Sequence, residues 1–197
     1  VFSSSLLLAG NRNPADVRRQ LSRWTASGKL IQLRRSLYML ADTYRKKSAH
    51  PFLLANCMKD ASYVSLQSAL AYYGLIPEYV PVTTSVTTGR PEKLETGAGG
   101  FMFRHIKKEF FFGYVSEALS DGQSAFVALP EKALLDLIYL TPGADDTGYL
   151  SELRLQHTER LDVERLKDMA AASGSAKLTR AVHLLPGLFS QEEYVDL

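Results

Sequence analysis

Asn13–Leu40 reads NPADVRRQLSRWTASGKLIQLRRSLYML, and the rest of the chain is organised around it. Asn13 can cap a helix with its side chain, Pro14 suits the first helical position because its missing N–H is not needed there, and Asp16 follows three residues past the cap. At about 100° per residue, Val17, Leu21 and Trp24 fall on one side of such a helix as an apolar stripe. Arg18, Arg19, Ser22 and Arg23 fall on the other side. Gly28 closes the helix. Leu30–Leu33 and Leu37–Leu40 are short apolar runs flanking Arg34-Arg35-Ser36, the pattern of a hairpin with a basic tip.

Charge opposite an apolar stripe is common to all solvated helices; here the sign of the charge carries the information. Residues 1–47 hold ten Lys/Arg against two Asp/Glu, a balance of +8, whereas the remainder holds 13 against 19, a balance of −6. The whole-chain value of +2 hides this split. Such asymmetry points to a polyanion partner for the first part. A buried stripe, arginines in front of it and a basic hairpin alongside give the layout of a winged helix-turn-helix whose recognition helix, Asn13–Ser27, faces DNA.

With 197 residues and 46% hydrophobic content the chain is globular and long enough for two modest domains. The expected class is α+β: a winged helix-turn-helix over 1–47, then an α/β domain over 48–197 with a mainly antiparallel sheet and C-terminal helices. No apolar run reaches the roughly 18 residues of a membrane span, and VFSSSLLLAG lacks the basic leader of a signal peptide. Cys57, the single cysteine, excludes an internal disulfide and is expected as a small buried hydrophobe. A cytoplasmic setting is expected.

Ser3–Ala9 reads as a short serine-capped helix, with Gly10-Asn11-Arg12 turning into the recognition helix. A domain of this class normally carries another helix ahead of these two. Only two residues precede Ser3, so that helix is expected to be absent here or supplied elsewhere, with Trp24 left less covered. Asp42–Ser48 reads as a polar, basic linker. Pro51–Met58 suits a buried helix, and Ser62–Gly74 a strand that becomes a helix with Leu66, Ala69, Leu70 and Tyr73 on one face. Val80–Thr87 alternates as a half-buried strand. Its hydroxyl side, Thr83, Ser85, Thr87 and Thr88 with Arg90, has groups to hold an anion, although a hydroxyl-rich edge strand fits better. Lys93–Glu95 and Phe101–Ile106 flank a Gly-rich loop as a hairpin. Phe110–Tyr114 and Ser124–Ala128 are further strand candidates. Pro130–Leu140 is a helix packed through Ala133, Leu134, Leu137 and Ile138. TPGADDTG reads as an exposed loop, and helices are expected over Val163–Ser173 and Ser175–Leu185.

Catalytic constellations are missing from this pattern. His50, His105, His157 and His183 show no metal-ligand spacing. Neither GxSxG nor a P-loop occurs, and GAGG lacks the spacing and the following helix of a phosphate cradle. No Asp/Glu-x-Lys is present for a restriction-type nuclease, and Gly174-Ser175 is not followed by the Asp-x-Asp of a nucleotidyltransferase. The expectation is a protein that is not an enzyme and carries neither metal nor cofactor.

SYVSLQSALAYYGLIPE (Ser62–Glu78), VPVTTSVTTGRP (Val80–Pro91), FRHIKKEFFFGY (Phe103–Tyr114) and PEKALLDLIYL (Pro130–Leu140) closely resemble the antitoxins of the AbiEi family, from type IV toxin–antitoxin systems. RRQLSRWTASGKLIQLRRSLYML resembles the winged helix-turn-helix of the same family. The likeness runs through nearly the whole chain and weakens after about residue 160. It implies a bacterial transcriptional repressor that binds inverted repeats upstream of its own operon. It also implies neutralisation of a nucleotidyltransferase toxin, usually without a stable protein–protein complex. Leu129 stands before Pro130 where the family usually has Thr, a departure that costs a helix cap.

On this reading Arg18, Arg19 and Arg23, with Ser22 beside them, face guanine edges or phosphates in the major groove. Arg34 and Arg35 follow the neighbouring backbone or minor groove, and Arg12 and Lys29 hold phosphates at the helix ends. The second part is the candidate for antitoxicity and for a homodimer on the operator. Two other classes remain open. One is an antitoxin whose acidic domain occludes a basic toxin by direct binding; the other is an enzyme with a DNA-reading head and a site assembled from His105, Glu131 and Asp136.

Overall fold

The computed structural model describes residues 1–9 and 13–192, and within them the chain is mixed α+β with two sheets. The expected turn at 10–12, including Arg12, lies outside the described residues. Helix α1 (Ser4–Leu8) starts from Ser3, whose hydroxyl accepts the Ser5 N–H at 3.3 Å. Helix α2 (Pro14–Ala26) starts from Asn13, whose Oδ1 accepts the Ala15 N–H at 2.9 Å. Gly28, at φ +69°, turns the chain out of α2, a conformation that costs other residues a Cβ clash. Strands β1 (Phe2–Ser3), β2 (Leu30–Arg34) and β3 (Leu37–Leu40) form an antiparallel sheet in the order β1-β3-β2.

Side chains alternate across a strand, and the hairpin uses both of its faces. Toward α2, Leu30 joins Val17 and Leu21 in a small buried cluster flanked by Phe2, Leu8 and Tyr38. On the other face Leu33 and Met39, at 2% and 1% exposure, belong to the large core of the rest of the chain, with Ile31 and Leu37 packed against it. The ribbon is therefore sandwiched between α2 and the body. Trp24 does not complete the expected stripe. It is 38% exposed and lines an open groove of about 740 Å³ with Leu6, Leu7, Val17 and Leu21, because α1 is too short to cover its ring.

The expected linker is docked to the body. Asp42–Tyr44 forms a 3₁₀ turn. Lys47 Nζ then donates to the Asp121 carbonyl at 2.8 Å. Gln123 accepts the His50 N–H at 2.9 Å and donates to the Ser48 carbonyl at 2.8 Å.

The body is a six-stranded sheet made of β4 (Ser62–Val64), β5 (Val82–Thr87), β6 (Glu92–Thr96), β7 (Gly99–His105), β8 (Tyr114–Ala118) and β9 (Ser124–Ala128). The order is β6-β7-β5-β4-β9-β8. Neighbours are antiparallel except at β5/β7 and β4/β9, which are parallel, so the sheet is mixed. β5 is central, not an edge strand. Thr83, Thr84, Ser85, Val86 and Thr87 are all buried, so the expected half-exposed strand has no open hydroxyl face on which an anion could sit. Thr84 is satisfied inside, its Oγ1 donating to the Ser65 carbonyl at 2.7 Å and its N–H to Ser68 Oγ at 2.8 Å. Thr87 Oγ1 accepts the Gly89 N–H at 3.1 Å, whereas Ser85 Oγ has no hydrogen-bond partner among the described residues.

Helices α3 (Pro51–Met58), α4 (Leu66–Tyr72), α5 (Pro130–Leu140), α6 (Thr147–Glu152), α7 (Val163–Ala172) and α8 (Ala176–Glu192) pack around this sheet. In α3 the buried residues Phe52, Leu54, Ala55 and Met58 span one arc, and Cys57 falls roughly 140° from its centre. Cys57 is accordingly exposed, against the expectation of burial. Helix α6 occupies the end of the stretch expected as a loop: Asp146 caps it by accepting the Gly148 N–H at 2.8 Å. No helix among the described residues is long and apolar enough to cross a membrane.

Candidate nucleic-acid interface

Helix α2 sets the geometry. With Val17 and Leu21 turned inward, the helical repeat brings Arg18, Arg19, Ser22 and Arg23 to the exposed side, where all four lie. Arg19 Nη1 is 3.4 Å from Asp16 Oδ1, a solvent-exposed pair that a phosphate can displace. Arg18 and Arg23 have no carboxylate within ion-pair distance among the described residues. Lys29 is exposed just beyond Gly28, and its backbone N–H closes α2 by donating to the Trp24 carbonyl at 2.9 Å. The face thus carries uncompensated positive charge at the middle and at the C-terminal end of the helix.

The hairpin tip divides into two roles. Ser36, at φ +67°, makes the turn. Arg35 is exposed and has no partner among the described residues. Arg34, expected to be free for a phosphate, donates through Nη1 to the Met58 carbonyl of the body. Its guanidinium therefore joins the tip to α3, with only its remaining N–H groups left to face outward. Arg12 lies outside the described residues.

A second polar constellation lies inside the body. Lys132 and Asp136, one turn apart on α5, are both 0% exposed and form an ion pair. Asp136 Oδ2 also accepts the Ser65 hydroxyl at 2.7 Å and the Tyr63 hydroxyl at 3.1 Å. Lys132 Nζ lies 3.6 Å from the Phe110 ring centre and 5.5 Å from those of Tyr63 and Phe112, a cation–π cage. Burial raises the Asp136 carboxyl and lowers the Lys132 ammonium, each resisted by the charge of the other. The Tyr63 phenol is pushed up by burial first and by the neighbouring carboxylate second. Gly113 stands at φ +73°, a conformation that strains other residues, and a Cβ there would lie 3.2 Å from the Lys132 chain, a tight contact that the lysine stem would have to yield to. The signal in PEKALLDLIYL is a Lys and an Asp at i, i+4, a spacing that lets two charges on a mainly apolar helix meet. The cluster is closed to solvent and ties α5 to β4.

The residues weighed for a catalytic site have separate partners. His105 Nδ1 is 2.9 Å from the Gly89 carbonyl. Glu131 Oε1 accepts the Asp162 N–H at 2.9 Å at the start of α7 and pairs with Arg165 at 3.4 Å. Asp136 is engaged as above. Among the described residues no group of three His, Cys, Asp or Glu side chains comes together as metal ligands would. No protein-family model and no curated protein matches the chain.

Proposed function

We propose that the chain is an antitoxin of the type IV class that represses its own operon by binding duplex DNA, its head being a winged helix-turn-helix and its toxin a nucleotidyltransferase. The observation that carries the DNA-binding half is the exposed cationic face of α2, where Arg18 and Arg23 have no carboxylate partner among the described residues and stand opposite buried Val17 and Leu21. The antitoxin half rests on the resemblance of four body motifs to the AbiEi family. In this reading α2 enters the major groove, with Arg18, Arg19, Ser22 and Arg23 against base edges and phosphates. Arg35 and Lys29 hold the backbone on either side, and Arg34 steadies the wing from behind. Val17 and Leu21 are structural, so changing them unfolds the head without changing its specificity.

The test uses DNA from upstream of the chain's own gene, titrated with the intact protein at several salt concentrations. Neutralising about five phosphates per protomer gives a slope of log affinity against log salt of roughly −4 to −5. Arg18→Ala with Arg23→Ala removes binding while far-UV circular dichroism stays unchanged; a folded double variant that binds as the parent does removes α2 from the interface. One observation favours a second reading. The body's balance of −6 suits direct capture of a basic toxin, with DNA binding secondary. Co-elution of toxin and antitoxin in size exclusion selects that reading, and separate elution with toxin rescue intact selects the first.

A further inference from the structure

The cations of the body are not distributed at random with respect to their partners. Among the described residues, Lys59, Lys93, Lys132, Arg154, Arg160, Arg165, Lys167 and Arg180 each lie beside a carboxylate. Arg104 and Lys177 each donate to a backbone carbonyl. Arg90, Lys107 and Lys108 alone have neither kind of partner, and all three are exposed.

These three residues meet at one corner. β5 and β7 are parallel neighbours, so the chain leaves both at the same end of the sheet. There the Ile106 N–H donates to the Thr87 carbonyl at 3.0 Å, and His105 Nδ1 lies 2.9 Å from the Gly89 carbonyl. Arg90 follows Gly89 directly, and Lys107 and Lys108 follow His105 and Ile106. The segment carrying the lysines is held from beneath, because Phe110 in the same 3₁₀ turn is 2% exposed and roofs Lys132. The charges are therefore presented on a fixed support.

The corner is also continuous with the head. Arg34 at the hairpin tip donates to the Met58 carbonyl, and the next residue, Lys59, runs past Gly89, where a Cβ would lie 3.7 Å from Lys59 Cε. Lys59 itself is neutralised by Glu92 at 2.9 Å. The local anions left exposed are Asp60 and Glu109, against Arg35, Arg90, Lys107 and Lys108. A net positive track thus leads from the wing tip onto a body whose overall balance is negative.

We propose that Arg90, Lys107 and Lys108 form a second phosphate-contact surface, which takes the backbone of the same duplex beyond the segment gripped by the head. This rests on the DNA-binding reading above and adds to it a role for the body. Such contacts carry no sequence information; they lengthen the footprint and fix its register.

The test compares the intact chain with an Arg90→Gln, Lys107→Gln, Lys108→Gln variant on a labelled duplex from upstream of its own gene, across a salt series. The expected result is a slope of log affinity against log salt shallower by about 2 to 3, from loss of about one released counterion per cation. A hydroxyl-radical footprint shortens at its flank and stays intact at the centre, and the melting temperature is unchanged. The charge-retaining Arg90→Lys, Lys107→Arg, Lys108→Arg variant restores both slope and flank. An unchanged slope and footprint, in a series where Arg18→Ala with Arg23→Ala still abolishes binding, overturns this proposal and leaves the head's role standing. Failure of the intact chain to bind the duplex at low salt overturns both. Loss of binding to single-stranded RNA of the same length, with duplex binding unaltered, overturns it in favour of an RNA-contacting corner.

Discussion

At the scale of single residues, Lys132 and Asp136 show how a buried charge is tolerated. Neither reaches water, so each depends on the other, and the Tyr63 and Ser65 hydroxyls complete the carboxylate's shell. Removing one member leaves the other buried without compensation, a loss of about 3–5 kcal/mol. Lys132→Met is expected to lower unfolding stability by that order in urea titrations. The double variant Lys132→Met, Asp136→Leu recovers part of the loss, because no charge is orphaned although the Tyr63 and Ser65 hydroxyls lose their acceptor. If the double variant is as unstable as the two single losses added together, the pair is not acting as a unit.

Helices are the scale at which a pH dependence enters. His50 caps α3: its Nδ1 accepts the Phe52 N–H at 3.2 Å, so the ring must be unprotonated at that atom. Burial holds the ring's pKa below its ordinary 6.5. A folded-state value below the unfolded one contributes stability that is fully present above about pH 6.5 and is lost as pH falls through the folded value. Replacing His50 with Asn keeps a capping acceptor and removes the titration. The difference in unfolding midpoint between His50→Asn and the parent is therefore expected to widen as pH drops from 7 to 5, and a constant difference would dismiss the cap. Other elements explain what the sequence makes legible. α2 and α5 are readable to the residue because Asn13-Pro14 and Pro130 mark their starts and their apolar spacing is regular. Leu129 makes no side-chain cap bond, as the departure from Thr implies. α6 is hidden because its Asp146 cap sits in a run of turn-forming residues. β5 is misjudged because its alternating hydroxyls look solvent-facing, whereas its place between β4 and β7 in the middle of the sheet, which no local pattern announces, buries both of its sides. The cationic face of α2 follows from helical periodicity alone. The body's corner does not, since Arg90 and Lys107 are brought together by a parallel strand pairing that one-dimensional patterns do not announce.

For the whole molecule, the seam between head and body is the decisive feature. Leu33 and Met39 lie in the large core although their strands belong to the head's sheet. Met39→Ala is therefore expected to lower the stability of the entire chain by about 2–5 kcal/mol. Trp24 is the single tryptophan and stands on α2, so its fluorescence reports the head, while far-UV circular dichroism is dominated by the body. Both signals are expected to shift together to lower denaturant in Met39→Ala; a shift in only one would mean the seam is not shared. For the same reason, cutting the chain between 47 and 48 strips an apolar face from the body, and charge substitutions on α2 test the two proposed activities more cleanly than deletion. The bond from Arg34 to the Met58 carbonyl bears on this too. It is a polar rivet set beside the apolar seam, fastening the ribbon that follows α2 to the helix that opens the body.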